Sequence, residues 1–514
     1  MRSVLGVAVA VACALVPATA HAFCGFYVAG SNQPMFNDAT QVVLMRQGTR
    51  TVLSMQNNYK GPPEAFALVI PVPVVLHEGD VKTLDKGVFA HVEQMGAPRL
   101  VEYWEQDPCA PPVKYDMMPS PMASAGVAMA MDEAKDHGVK IEAKFNVGEY
   151  QILILSAKDS TGLDTWLRDQ KYNIPAGAEP LLRPYVESGE KFFVAKVDPA
   201  KVKFEAGRAA LSPLRFYYDA DEFALPIRLG VANSSGTQDL IVNILAPMQR
   251  YEVANYDNVT VPTNLDVTPS VKDKFGAFYA ALFDATLEKH PGAVVTEYAW
   301  QATTCDPCPG PVLDASDFQT LGADVLGGAP GHASRYDGED FVLTRLHARY
   351  AKDVKNDLVF RHADPIVGGR EFVQSGGQLE QGARPDSTNN FQARYAIRHP
   401  WTGPITCESP QRGVWGGPPA DQQQLATGTA TATNLAFAPR GTVQLAASVP
   451  KGIPELGVSG GAGAVTPPVA AGSAEPVTYS TTQPKKTGCG CDSSEPSALV
   501  TIVLVGFVLV RRRA

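Results

Sequence analysis

Val342-Leu343-Thr344-Arg345-Leu346-His347-Ala348-Arg349-Tyr350 alternates between two kinds of side chain. Val342, Thr344, Leu346, Ala348 and Tyr350 fall on one side of an extended chain, and Arg345, His347 and Arg349 on the other. A period of two marks a strand with one face on a core. The pattern returns near the end of the ordered region, where Phe391, Ala393, Tyr395 and Ile397 point inward and Gln392, Arg394 and Arg398 outward. Arginines on the outer face of such strands are expected to be solvated, so no ligand is read from them.

Working outward, residues 41–45 and 49–55 flank Gln47-Gly48 and read as a hairpin. One helix stands out. Thr161-Gly162-Leu163-Asp164 has the form of a capping box, and Leu163, Trp166, Leu167 and Gln170 share a face. Trp166 on that stripe reads as a core residue rather than a binding platform. The 45 Gly and 41 Pro among 514 residues suit turns and strands better than long helices. The expected fold class is therefore α+β and β-rich.

Marks recur in the same order in two halves of the chain. Residues 64–71 precede a helix-like stretch near Phe89, then Val101-Glu102-Tyr103-Trp104, then Asp107-Pro108-Cys109. Residues 221–227 precede a helix-like stretch near Phe278, then Thr296-Glu297-Tyr298-Ala299-Trp300, then Asp306-Pro307-Cys308. Two related lobes, about 23–200 and 201–400, would account for this order. Residues 117–131, rich in Met, Pro, Ser and Ala, read as a long loop. Residues 413–488 are rich in Gly, Pro, Ala, Ser and Thr and read as a flexible stalk reaching on the order of 50 Å, with residues 435–449 apolar enough to dock back as a strand.

Both ends carry targeting signals. Arg2, the apolar run 4–16 and Ala20-His21-Ala22 make a signal peptide of residues 1–22, with cleavage before Phe23 by signal peptidase. Residues 23–400 are then an exported ectodomain. Residues 498–510 form an apolar run of roughly 20 Å, short of a ~30 Å hydrocarbon core, and Arg511-Arg512-Arg513 follow at once. The arginines should stay cytoplasmic, placing the rest of the chain outside. With Cys489 and Cys491 just upstream, residues 489–514 resemble the myxobacterial C-terminal sorting tail. That resemblance implies a membrane processing enzyme as partner and a mature protein at the cell surface or outer membrane. A plain membrane helix facing the periplasm is the other reading.

The net charge of -9 and the confinement of dense basic residues to the extreme C-terminus argue against a nucleic-acid partner. Cys24, Cys109, Cys305, Cys308 and Cys407 belong to the exported part and are disulfide candidates, with the pairing left open. Cys305-Asp306-Pro307-Cys308 is the one motif that suggests catalysis. A thioredoxin-type site needs its thiolate at a helix N-terminus. Here Pro309-Gly310-Pro311 follows, so a structural pair is favoured over a redox one; zinc lacks a second close ligand pair. Gly457-Val458-Ser459-Gly460-Gly461 formally matches a hydrolase elbow but has no strand before it. Asp219-Asp221-Glu222 and Asp337-Glu339-Asp340 read as solvated turn acids rather than calcium ligands. No catalytic, cofactor-binding or metal-ligating residue is assigned.

Residues 24–28 (Cys-Gly-Phe-Tyr-Val), 39–46, 66–73, 163–167 and 305–308 resemble a bacterial family known as domain of unknown function 2330. The resemblance spans most of residues 23–400 and implies export and a shared fold, with no catalytic residue to carry across. The expected function is that of a surface- or membrane-anchored extracytoplasmic protein with a binding or envelope-structural role. The alternative is an extracytoplasmic enzyme, either a thiol oxidoreductase using Cys305 and Cys308 or a hydrolase.

Overall fold

A computed structural model describes residues 26–29, 36–60, 66–110 and 139–461, apart from 171, 173, 175–176, 203, 206–207, 210, 234–235, 328–339, 372, 375–377, 419–428 and 434–437. The expected signal peptide (1–22), Cys24, the expected loop at 117–131, Asp337, Glu339, Cys489, Cys491, residues 498–510 and the terminal arginines lie outside the described residues. Among the described residues no helix is long and apolar enough to cross a membrane.

The protein is β-rich with a few helices, an α+β arrangement. Gln238–Pro247 is mostly apolar from Leu240 onward and is buried on both faces, as a central strand should be. It pairs in parallel with Phe36–Gln47 and antiparallel with Phe341–Tyr350, at the middle of a 13-stranded sheet. Outward on one side Phe36–Gln47 turns through Gly48, at φ 57°, into Arg50–Lys60, the expected hairpin. Outward on the other side come Val294–Gln301 and then Asn390–Gln392.

One face of this sheet packs on a second, five-stranded antiparallel sheet whose three inner strands are Phe66–Val72, Lys191–Val197 and Tyr150–Ala157. Between them lies an apolar layer that includes Val42, Leu44, Ile70, Ile152, Phe193, Leu240, Val242, Leu346 and Ala348. The outer face of the five-stranded sheet is covered by helices Ser160–Asp169 and Glu179–Glu187, with Leu163, Trp166 and Leu167 buried as expected. The helix begins earlier than the capping-box reading gave. Asp159 is its N-cap, accepting from the Gly162 N–H, and Thr161 lies inside the helix.

The other face of the large sheet is sealed by helices too. Gly87–Gly96 buries Val88, Phe89, Val92 and Met95, and Phe275–Lys289 buries apolar groups nearly all round. The second helix is apolar over most of its surface because it is held between the large sheet and a small one. In the small sheet Arg99–Glu105 and Arg394–His399 run parallel, joined by Trp415–Gly416 and Ala430–Thr431.

Three expectations change here. The boundary at 200/201 does not divide the chain into lobes, because strands of the first half pair directly with strands of the second in both the large and the small sheet. The matched marks are not equivalent either: Arg99–Glu105 lies in the small sheet and Val294–Gln301 in the large one. Finally, the expected stalk does not begin at 413. Trp415, Ala432, Val449 and Ile453 are buried against the small sheet or the long helix. The docking within 435–449 comes as a short helix, Leu445–Ser448, not as a strand.

Candidate functional site

The outer face of Phe341–Tyr350 is not solvated. Arg345 and His347 are almost wholly buried, at 0% and 1% exposure, beneath the two covering helices. The chain can bury them because each meets a carboxylate. Asp239 stands directly opposite Arg349 in the ladder and takes its guanidinium at 2.7 Å. In Val294–Gln301 the register slips between Thr296 and Tyr298, which face Leu346 and Arg345, so Glu297 is the extra residue of a β-bulge. The bulge aims its carboxylate between Arg345 and His347. Glu297 Oε2 accepts from Arg345 Nε at 2.6 Å, while Oε1 accepts from His347 Nδ1 at 2.7 Å and from the Tyr279 hydroxyl at 2.8 Å.

The helices complete the row. Glu93 takes the rest of the Arg345 guanidinium at 2.8 Å, and Asp284 binds Arg349 at 2.7 Å and also pairs with Arg440. Phe283 stacks on the His347 ring with centroids 3.6 Å apart and lies under Arg349. Glu93, Asp239, Asp284 and Glu297 oppose Arg345, Arg349, Arg440 and His347, so the charges cancel only when His347 is protonated. Burial alone would pull His347 down, but Glu297 and Asp239 outweigh it and hold the ring above its ordinary pKa. Burial pushes Glu297 up, yet His347 and Arg345 prevail and lower it to about 2.

A second polar group meets the surface at the small sheet. Arg394, also expected in water, is fully buried: Nη1 donates to the Tyr103 hydroxyl at 2.6 Å, Nε to Asn264 Oδ1 at 2.8 Å, and Nη2 to the Arg370 carbonyl at 2.9 Å. Tyr103 in turn donates to Glu371. Burial keeps both the Tyr103 hydroxyl and the Glu371 carboxyl protonated to higher pH than usual. Arg398, held by Asp266 at 2.7 Å, lies over the Trp415 ring. Together with Leu379 these residues line a shallow surface concavity. Gln392, the third residue expected outside, is buried as well and donates to the Asp306 and Gly369 carbonyls.

Among the described residues the cysteines form two disulfides. Cys109 is joined to Cys407 across 298 residues and Cys305 to Cys308 across three. By loop-closure entropy the long bridge is worth about 5–6 kcal/mol against the unfolded chain and the short one about 2. No helix starts at Cys308; Ala315–Phe318 begins later, capped by Asp314. Ser459 sits in an exposed turn after Pro454–Leu456, Asp219 is paired with Arg50, and among the described residues no acid, His and Cys groups cluster as a metal site.

A family model described as an uncharacterized protein conserved in bacteria (DUF2330) matches residues 17–361, more than half of the chain. The chain belongs to the DUF2330 family. No curated protein and no solved structure matches it. The DUF2330 match takes in Glu93, Asp239, Asp284, Glu297, Arg345, His347 and Arg349, but ends before Glu371, Arg394, Arg398, Cys407, Trp415 and Arg440. The interior charged row thus lies almost wholly within the DUF2330 region, whereas the concavity is finished by sequence beyond it. Glu297 had one sequence signal: it is the lone acid in the apolar run 293–302.

Proposed function

We propose that this chain is exported, held at a membrane or the cell surface by residues 489–514, and acts there as a binding or envelope-structural protein. The observation that carries the reading is where the polar chemistry goes. The convergent ionisable groups of the charged row are consumed by one another, and the concavity at Tyr103, Arg398 and Trp415 is too shallow to enclose a small ligand. Such a face suits contact with an extended partner. The Cys109–Cys407 bridge accords with an oxidising compartment.

Fractionation of a bacterial host that exports the chain tests this reading. Truncation after Thr487 should release a folded, soluble protein. Replacing Cys489 and Cys491 by Ala should leave a longer, unprocessed form in the inner membrane. The released protein should bind isolated envelope fractions, and Arg398→Ala with Trp415→Ala should weaken that binding. A truncated protein that resists extraction from membranes by alkaline carbonate refutes the tether, and one that binds no envelope fraction refutes the role.

A further inference from the structure

We propose that the Cys305–Cys308 disulfide is a thiol–disulfide exchange site, an acceptor for a dithiol protein of the extracytoplasmic space, while Cys109–Cys407 is the structural bridge. This exchange role is independent of the tether and of the binding face.

Accessibility separates the two bridges. Cys308 is exposed, whereas Cys109 and Cys407 are each half-buried and the Cys407 N–H donates to Cys109 Sγ at 3.2 Å. A thiolate must reach one sulfur along its bond to the other, so an exposed Cys308 is the sulfur open to attack. Cys305 packs against the apolar layer under the Gly87–Gly96 helix and is the sulfur that leaves.

The loop keeps its shape without the bridge. Pro307, Pro309 and Pro311 have no N–H, so what the loop must satisfy is mainly its carbonyls. Four of them are held by side chains from other elements. Gln392 donates to the Asp306 carbonyl, Arg99 to Pro307 at 2.9 Å, Gln94 to Pro309 at 3.0 Å, and His91 Nε2 to Pro311 at 2.9 Å. Gly310 permits this approach, since a Cβ there would lie 2.8 Å from Gln94 Nε2. His91 is fixed in turn by Asp317 at 2.8 Å through its other nitrogen. Opening a bridge that closes three residues of a loop already held at four points leaves the fold intact.

In the exchange, a donor thiolate attacks Cys308 Sγ, a donor–Cys308 disulfide forms, and the Cys305–Cys308 bond breaks with its electron pair going to Cys305, which takes up a proton. The donor's second thiolate then attacks its own first sulfur and frees Cys308, which is protonated. The donor becomes a disulfide, and the pair has gained two electrons and two protons. Without a helix behind Cys308, the pair is an acceptor and not a turnover catalyst of the thioredoxin kind.

Graded dithiothreitol pulses on the folded, exported protein, followed by iodoacetamide trapping and peptide mass mapping, test the assignment. Cys305 and Cys308 should be labelled at reductant levels at least tenfold below those that label Cys109 and Cys407, with the circular dichroism spectrum unchanged. A purified thioredoxin-fold reductase whose resolving cysteine is replaced by Ser should trap as a mixed disulfide on Cys308. Simultaneous opening of both bridges, opening of Cys305–Cys308 only with loss of the fold, or an adduct on another cysteine would overturn the proposal.

Discussion

The two faces of Phe341–Tyr350 are both buried, but by different means. Leu346 and Ala348 meet the five-stranded sheet across an apolar layer, where any hydrocarbon of the right volume serves. Arg345, His347 and Arg349 meet two helices, and there each charge needs a partner in one geometry. Apolar burial is tolerant and non-directional, whereas buried ion pairs contribute little net stability and lose much when one partner goes. The contrast explains why Glu297 sits on a bulge: only a local slip of register brings one carboxylate to two cations and a tyrosine at once.

Breaking the charged face should have the largest effect. Glu297→Ala strands Arg345 and His347 without their shared carboxylate, and should cost about 3–5 kcal/mol in chemical denaturation. A loss under about 1 kcal/mol would mean that water reaches the row. On the apolar face, Leu346→Ala should cost about 2–4 kcal/mol through lost transfer energy and the cavity left behind. This variant should leave the pH dependence of stability unchanged, a feature Glu297→Ala should alter. Arg361, which pairs with Glu252 at the surface, gives the smallest expected effect. Arg361→Ala should shift stability by no more than about 0.5 kcal/mol, and less at high salt.

Much of the β framework could be read from the sequence, because alternation and the Gln47-Gly48 turn are local signals. Which face is wet could not. A period of two in 342–350 says only that the faces differ; the helices that seal the second face come from residues 87–96 and 275–289, far along the chain. The same gap hid Arg394 and Gln392, whose partners Tyr103, Asn264 and Asp306 come from distant segments. The repeated order of marks near Cys109 and Cys308 misled for the converse reason: similar short segments were placed in different sheets by long-range pairing. Composition likewise set the stalk too early, since Ala- and Gly-rich segments can pack closely wherever an apolar helix such as Phe275–Lys289 offers a surface. The concavity had no local signature at all, being assembled from residues 103, 371, 379, 394, 398 and 415.

Charge balance gives the most direct test, since the row is neutral only with a proton on His347. With a folded pKa above the ordinary value near 6.5, His347 contributes stability that is complete below pH 6.5 and fades as pH rises through the folded pKa. Glu297, lowered to about 2, adds stability that is complete above about pH 4.5 and fades as pH falls toward 2. The decisive measurement is an NMR titration of the His347 ring from about pH 5 to about pH 9, assigned through its contact with Phe283. We expect an imidazolium that persists through pH 6.5 and loses its proton only at distinctly higher pH, together with a loss of stability over the same range. A midpoint at or below 6.5, or a ring neutral throughout, would contradict a sealed and balanced row.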